Sequence, residues 1–248
     1  MLHSIDLNCD MGEGMKTDAL MMPFISSANI CCSYHAGDED TIKRTVELCL
    51  KNNVAAGAHP SFADMENFGR KEQYMSDEEL YDVVSSQLSI FEKIAFPMGC
   101  IMHHVKPHGA LYNMAAKNKQ LSSIVAKAIH DFDENLLVYG LAESYIISEA
   151  EQIGLKAVNE VFADRTYQDD GSLTPRSQPG ALIEEDEKAW LQVQEIITSQ
   201  TVTTSGGIAF PIKAETICIH GDGPHALKFA LSIYENLKAH HIAIKTIC

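Results

Sequence analysis

The stretch that decides the fold is MHHVKPHGALYN at residues 102–113, which begins as an apolar strand and then turns polar and cationic. Pro107 has no backbone N–H to donate to a sheet, so the strand is predicted to end near Lys106. His108 then lies in a tight turn that Gly109 opens. This pattern is typical of an active-site loop at the end of a strand.

Two other segments repeat the order of apolar strand, histidine, and then glycine or proline. They read ANICCSYHAGD at residues 28–38 and VAAGAHPS at residues 54–61. If all three strands run parallel, the side chains at their carboxyl ends meet on one face, as in a barrel of strands and helices. The sequence therefore predicts a catalytic bowl lined by His35, His59 and His108.

The rest of the chain alternates strands with amphipathic helices. Seven units of strand and loop, most followed by a helix, favour a closed parallel barrel over an open doubly wound sheet. Helix starts are marked by Asp38 or Asp40, and by Ser76 with Glu79 three residues later. We expect an α/β fold, a seven-stranded parallel (β/α) barrel, as one domain over residues 1–248, a common length for such barrels.

Composition limits the partners that the chain is expected to have. With 34 acidic against 19 basic residues the net charge is −15, which repels phosphate backbones and anionic membranes, so nucleic acid is not an expected partner. No stretch approaches the roughly 18 apolar residues that a membrane span needs. The 7 cysteines show no CxxC spacing and are expected to be buried, reduced thiols. These features predict a soluble cytoplasmic protein.

The first predicted strand carries polar side chains on one face. Asp6, Asn8 and Asp10 alternate along residues 4–10, and Gly12 and Gly14 follow. On the inward face of a barrel, such groups cost several kcal/mol of desolvation unless they are paired or used. The alternative is a surface edge strand with ordinary amphipathic alternation.

Two long loops are predicted on the same face as the histidines. Residues 62–70 combine aromatic side chains with Gly69 and Arg70, which suggests a lid or wall for a small ligand. Residues 167–180 are rich in Asp, Gly, Ser and Pro and carry Arg176.

Nine segments in order carry a family resemblance that runs nearly end to end. They are IDLNCDMGEG (5–14), SANI (27–30), HAGD (35–38), GAHPS (57–61), NFGR (67–70), KPHGALYN (106–113), EVFADR (160–165), PRS (175–177) and HGDG (220–223). Together they resemble the LamB/YcsF family of lactam-utilization proteins, described as the A subunit of bacterial 5-oxoprolinase. The resemblance implies a distorted seven-stranded barrel, similar to the glycoside hydrolase and deacetylase barrel.

The resemblance also implies a reaction. It is the ATP-dependent opening of 5-oxo-L-proline (pyroglutamate) to L-glutamate, with hydrolysis of ATP to ADP and phosphate, carried out together with separate B and C subunits. A lactam is a poor electrophile because its nitrogen donates into the carbonyl, and phosphorylation of the lactam oxygen would overcome this. The site must therefore hold a carboxylate, neutralise a phosphoryl group and place a base near water.

Residue types on the predicted loops supply these needs. We expect the catalytic groups to come from Asp10, Glu13, His35, His59, Lys106 and His108, with Asp222 as a further candidate base. The substrate is expected to be held by Asn8, Arg70, Asp164, Arg165, Arg176, His220 and Asp222. Arginine suits a two-pronged grip on carboxylate or phosphate. The sequence does not choose among the candidate bases.

The sequence leaves the cofactors and two other functions open. It has neither GxxxxGK[ST] nor GxGxxG after a strand, so ATP binds either here in an unfamiliar cradle or on one of the partner proteins. The alternative cofactor is a divalent metal held by the three strand-end histidines and Asp10. A stand-alone metal-dependent amidohydrolase or deacetylase, and a non-catalytic carrier of a lactam, are the competing functions.

Overall fold

The computed structural model describes residues 3–221 and 226–248. Its strands are β1 (Ser4–Met11), β2 (Ser27–Cys31), β3 (Ala55–His59), β4 (His104–Val105), β5 (Leu137–Leu141), β6 (Lys156–Phe162), β7 (Thr201–Thr203), β8 (Ala209–Pro211), β9 (Thr216–Ile219) and β10 (Ala243–Ile244). Its helices are α1 (Asp18–Met21), α2 (Glu39–Asn52), α3 (Asp77–Ala95), α4 (Gly109–Lys117), α5 (Lys119–Phe132), α6 (Tyr145–Gln152), α7 (Asp186–Ser199) and α8 (Ala226–Ala239). Short 3-10 helices span Met22–Phe24 and Phe96–Met98.

Seven parallel strands close the barrel within the described part of the chain. Strands β1 to β6 pair in chain order, β6 pairs with β9, and β9 returns to β1. The helices lie outside, and an apolar layer fills the space between them and the strands. The hairpin of β7 and β8 forms a separate antiparallel sheet beside the barrel. The predicted fold class, an α/β barrel of seven parallel strands, is confirmed.

Two helices begin where the sequence predicts. The Asp38 carboxylate accepts a hydrogen bond from the backbone N–H of Thr41 at 2.8 Å, which caps α2. Ser76 and Glu79 exchange hydrogen bonds in a capping box at the start of α3. Each cap satisfies backbone N–H groups that the first turn of a helix leaves unpaired. Both caps lie at the carboxyl end of the barrel and fix the loops that precede them.

The fold-deciding stretch forms a shorter strand than its apolar start suggests. Val105 pairs with Ala58 on one side and Val138 on the other, and the strand ends before Lys106, as predicted. The predicted tight turn is wrong, because α4 begins directly at Gly109. Gly109 has φ +56°, and a Cβ there would lie 2.5 Å from the carbonyl oxygen of Gly69, so only glycine fits.

The interior of the barrel is polar. β1 is paired on both sides, which rules out the surface edge strand, and Asp6, Asn8 and Asp10 are all buried. Asp6 accepts hydrogen bonds from the Ser27 hydroxyl at 2.7 Å and the Thr216 hydroxyl at 2.5 Å. Asp6 therefore has partners that offset its desolvation, and the column of polar groups continues up to the carboxyl end.

The amino end of the barrel is closed by the last residues. β10 pairs with β1, and the following residues run beneath the strands. The carbonyl of Ile247 accepts a hydrogen bond from His103 Nε2 at 2.7 Å, and the side chain of Ile247 packs on Leu137, Tyr139 and Val158. This packing leaves the carboxyl end as the open end of the barrel.

Two composition-based expectations can be compared with the structure. All 7 cysteines lie in the described residues and are free thiols, six of them buried, as expected. Among the helices of the described residues, none combines the length and the hydrophobicity that a membrane span requires.

Candidate active site

A cavity of about 620 Å³ opens at the carboxyl end of the barrel. Loops that follow β1, β3, β4, β6 and β9 form it, as expected for a barrel of this type. The predicted site residues that line it are Asp10, Glu13, His59, Arg70, Lys106, His108, Arg165, Arg176 and His220. We call this cavity the bowl.

The remaining predicted residues lie just behind the bowl or outside the described part. His35 stacks on His108 at 3.8 Å between ring centroids, Asn8 lies one layer deeper in the barrel, and Asp164 is bonded to His220. Asp222 lies outside the described residues. Side chains that are far apart in sequence therefore converge on one small space.

The three strand-end histidines form one contact cluster with Glu13. His108 Nδ1 lies 2.8 Å from His59 Nε2. Glu13 Oε1 lies 3.1 Å from His35 Nε2, 3.4 Å from His108 Nδ1 and 3.9 Å from His59 Nε2. Burial lowers the pKa of His35 to about 3 and that of His108 well below its usual range, so both rings are neutral at pH 7.

Lys106 is buried in the barrel, and its charge is balanced by two carboxylates. Its Nζ lies 2.9 Å from Asp10 Oδ1 and 2.8 Å from Glu160 Oε1, and it donates to Cys218 Sγ at 3.1 Å. Burial lowers the pKa of Lys106, but the two carboxylates outweigh burial and hold it well above its ordinary value. Lys106 follows the last residue of β4, as predicted, but its side chain is buried in the barrel between Asp10 and Glu160, where it holds both carboxylates in place.

Asp10 is held as a carboxylate by the same contacts. Burial raises its pKa, but His59 and Lys106 outweigh burial, so the pKa lies well below its usual range. Asn29 Nδ2 donates to Asp10 Oδ1 at 2.8 Å. Asp10 therefore presents a fixed negative charge at the floor of the bowl.

Two arginines form the cationic part of the rim. Arg165 is buried, and its guanidinium donates to the carbonyls of Thr174 at 2.6 Å and Ala181 at 3.3 Å, which anchors the second long loop. Burial, and then the nearby Arg176, lower the pKa of Arg165 to about 10, so it remains a cation at pH 7. Neighbouring guanidinium groups are typical of a site for carboxylate or phosphate.

His220 and Asp164 form an oriented pair close to the two arginines. His220 Nδ1 lies 2.8 Å from Asp164 Oδ2 and 2.9 Å from Oδ1, and its ring stacks on Phe162. Burial raises the pKa of Asp164, but His220 outweighs it and the pKa is lowered. A ligand atom of His220 also lies within 4.8 Å of one of Asp10. A histidine oriented by a carboxylate in this way is typical of a general acid or base.

Comparison with known proteins identifies the family. The family model described as "LamB/YcsF family" matches residues 5–248. The chain belongs to the LamB/YcsF family. It is 48% identical over 248 residues to the protein of Brevibacillus brevis named as the A subunit of 5-oxoprolinase, covering 98% of each chain. Its structure is similar to that of the lactam utilization protein from Thermus thermophilus, with TM-score 0.92, 34% identity, and coverage of 98% of this chain and 100% of that one.

The LamB/YcsF barrel also shares its architecture with a more distant protein. The family 4 carbohydrate esterase from Streptomyces lividans has TM-score 0.51 at 13% identity, covering 99% of this chain and 93% of that chain. At this identity the similarity shows the fold alone. It confirms the expected likeness to the deacetylase barrel.

Sequence reasoning missed several residues of this LamB/YcsF site. Glu160 pairs with Lys106, Ser61 holds His35, and the Phe68 ring packs edge-on against His35 and His108. One usable signal was the strand AVNEVF at residues 157–162, where a single acid stands among mostly apolar residues. Only a partner inside the barrel makes such an acid tolerable.

Two buried oxygens lie in or beside the bowl. Within the described residues, the Tyr112 hydroxyl and Glu160 Oε2 have no hydrogen-bonding partner. Burial, with the nearby Glu160 charge, raises the pKa of Tyr112 well above its usual range, so the phenol keeps its proton. Tyr112 lines the bowl, where its hydroxyl can donate to a ligand.

Proposed function

We propose that the chain is the A subunit of an ATP-dependent 5-oxoprolinase. In this reaction 5-oxo-L-proline is opened to L-glutamate while ATP is hydrolysed to ADP and phosphate, together with B and C subunits. The observation that carries the proposal is 48% identity along 98% of a protein named as the A subunit of 5-oxoprolinase. The bowl supports it, because it joins anion-binding arginines to a histidine–aspartate pair and a buried carboxylate.

The bonds that must change define the work of the site. Transfer of the ATP γ-phosphoryl group to the lactam oxygen activates the ring carbon toward attack by water. Water then adds to that carbon, the C–N bond breaks as the nitrogen takes a proton, and a second water hydrolyses the acyl phosphate that remains. The products are glutamate, ADP and phosphate, with two waters consumed. A base for water, an acid for nitrogen and a cationic grip are needed.

We assign these roles to residues of the bowl. Arg165 and Arg176 grip the substrate carboxylate and the transferred phosphoryl group, and Arg70 adds charge at the mouth. His220, oriented by Asp164, takes the proton from water and returns it to the ring nitrogen. Lys106 and Asp10 hold the floor rigid. The nucleotide must reach the mouth of the bowl from whichever protein of the complex holds it.

The test is glutamate release by the purified chain with its B and C subunits. We expect glutamate only with ATP present, in a fixed ratio to released phosphate. His240→Gln, a change at an exposed histidine, serves as the matched control and should leave the rate unchanged. Phosphate release that stays uncoupled from glutamate formation in the full complex would sink the proposal.

The imidazole cluster favours a second candidate function. Three histidines and a carboxylate within 4.8 Å of one another also suit a metal-dependent amide hydrolase that acts without ATP. Turnover of an amide by the chain alone, abolished by a chelator and indifferent to ATP, would favour this candidate over the ATP-dependent one.

A further inference from the structure

Two histidines of the bowl each commit one ring nitrogen to a backbone carbonyl. His59 Nδ1 donates to the carbonyl of Lys106 at 2.6 Å, and His108 Nε2 donates to the carbonyl of Phe68 at 2.9 Å. A carbonyl can only accept, so each of these nitrogens carries a hydrogen. The other nitrogens, His59 Nε2 and His108 Nδ1, offer a lone pair whenever their rings are neutral. They face each other at 2.8 Å.

The third histidine is oriented in the same way through a hydroxyl. His35 Nδ1 lies 2.8 Å from Ser61 Oγ. That hydroxyl donates its own hydrogen to the carbonyl of Phe62 at 2.9 Å, so its oxygen accepts from the imidazole. His35 Nε2 is therefore also a lone pair. It points to Glu13 Oε1 at 3.1 Å.

Three imidazole nitrogens and a carboxylate oxygen thus meet at one place. All four atoms lie within 4.8 Å of one another, and all four side chains are buried. Imidazole nitrogens and a carboxylate gathered out of water in this way are the donor set of a transition-metal site. We propose that Glu13, His35, His59 and His108 bind one divalent transition-metal ion.

The donor set indicates the class of metal. Imidazole nitrogens with one carboxylate suit Zn²⁺, Fe²⁺, Co²⁺ or Ni²⁺, whereas Mg²⁺ and Ca²⁺ prefer oxygen ligands. Ligand bonds of about 2.0–2.1 Å in a tetrahedron separate neighbouring donor atoms by roughly 3.3 Å. The separations between His108 Nδ1 and His59 Nε2 (2.8 Å) and between Glu13 Oε1 and the three rings (3.1, 3.4 and 3.9 Å) bracket that value.

The carboxylate ligand differs from the one that the sequence suggested. Asp10 was expected to complete the set, but its Oδ1 is bonded to Lys106 and Asn29, and its Oδ2 lies 3.4 Å from His59 Nε2. Glu13 replaces Asp10 because Gly12, at φ +73°, lets the chain turn back over the histidines.

The groups around these four side chains fix the orientation of the three imidazole rings. A histidine that binds a metal almost always donates its other N–H to a carbonyl, carboxylate or similar acceptor, which fixes the ring. All three rings do so here. Phe68, which supplies one of these carbonyls, has φ +56°, a conformation that a phenylalanine adopts only under constraint. The loop at residues 62–70 therefore acts as a wall that holds two rings in position. When bound, the metal would polarise a lactam or phosphoryl oxygen in the bowl.

Metal binding by the isolated chain tests the proposal without substrate, ATP or partner proteins. The chain is stripped with a chelator and titrated with Zn²⁺ by calorimetry, and bound metal is counted by mass spectrometry. Co²⁺ is used as a second probe because its visible absorption reports coordination geometry. We expect one ion per chain and the intense visible bands of four-coordinate Co²⁺. These readouts are independent of 5-oxoprolinase activity, so failure of either proposal leaves the other standing.

Variants test whether the ion binds at these four side chains. Glu13→Gln and His59→Gln should remove the four-coordinate Co²⁺ spectrum. Ser61→Ala, which touches no metal, should weaken Zn²⁺ binding roughly 10–100-fold because it frees the His35 ring. His240→Gln is the control and should bind as the wild type does. Circular dichroism checks folding, and if His59→Gln fails to fold, Glu13→Gln and Ser61→Ala still decide the matter. Absence of stoichiometric binding, or binding that Ser61→Ala and Glu13→Gln leave unchanged, would overturn the proposal.

Discussion

Replacement of Lys106 by methionine is the sharpest test of the polar interior. Methionine keeps most of the length of the side chain and removes the charge, which leaves Asp10 and Glu160 buried without their ammonium. Removing one partner of a buried ion pair costs about 3–5 kcal/mol, since an uncompensated charge remains. Asp10 keeps the Asn29 amide and Glu160 keeps the Asn8 amide. We therefore expect the free energy of unfolding to fall by about 3–5 kcal/mol in total, and by no more than that.

The pH dependence of this loss has a definite sign. Burial raises the pKa of Asp10, but in the wild type His59 and Lys106 outweigh it, so the carboxylate contributes stability above its unfolded pKa, and this is lost as the pH falls through its folded pKa. In Lys106→Met the folded pKa rises and the folded state takes up protons more readily. The difference in stability between wild type and variant should therefore shrink as the pH falls through the raised folded pKa of Asp10 in the variant.

Urea unfolding, followed by circular dichroism at several pH values, measures both effects. Lys127→Met is the matched control, because Lys127 is an exposed lysine paired with Asp131 and its loss should change stability little. Adding Glu160→Gln to Lys106→Met should restore part of the lost free energy of unfolding, because it removes one of the two carboxylate charges left without Lys106. If Lys106→Met is no less stable than Lys127→Met, the account of the interior as a charge-paired core is refuted.

Three further substitutions test the bowl. Asp164→Asn should lower kcat of the full complex roughly 10²–10⁴-fold with little change in KM, because His220 loses the carboxylate that orients it. Tyr112→Phe should raise KM for 5-oxo-L-proline and leave the free energy of unfolding unchanged or higher, because its hydroxyl has no partner within the described residues. Gly109→Ala should lower the melting temperature, measured by circular dichroism, because its Cβ would meet the Gly69 carbonyl.

Each of these has an outcome that contradicts it. An Asp164→Asn enzyme that keeps its kcat would remove His220 from proton transfer. A Tyr112→Phe variant that is less stable but keeps its KM would show that the hydroxyl serves the fold instead of the ligand. Gly109→Ala with an unchanged melting temperature would show that the loop at residues 62–70 yields easily, contrary to its role as a wall.

Sequence reasoning located the histidines because parallel strands place their carboxyl ends together. Pro60 and Pro107 mark two of those ends in the sequence, and the convergence of His59 and His108 follows from that geometry alone. The length of β4 was not predictable, since only pairing with β3 and β5 decides which residues join the sheet.

The ion-pair partners inside the barrel could also not be predicted from the sequence. A strand buried on both faces does not reveal which face is inward, so Glu160 gave no sign of where it points. Lys106 looked like a free cation because the two acids that neutralise it come from β1 and β6. The choice of Glu13 over Asp10 beside the histidines depends on the backbone at Gly12. These contacts depend on how the strands pair in three dimensions, so the local sequence pattern does not reveal them.

The position of β1 between β2 and the strands β9 and β10 has a consequence for synthesis on the ribosome. β1 can pair with β2 soon after both are made, but its other edge must wait until β9 has been synthesised. Until then, the nascent chain exposes an unpaired edge beside a half-formed, polar interior. Closure of the cylinder is therefore a late step that joins opposite ends of the chain, and the slow, long-range pairing should be the point at which chaperones assist.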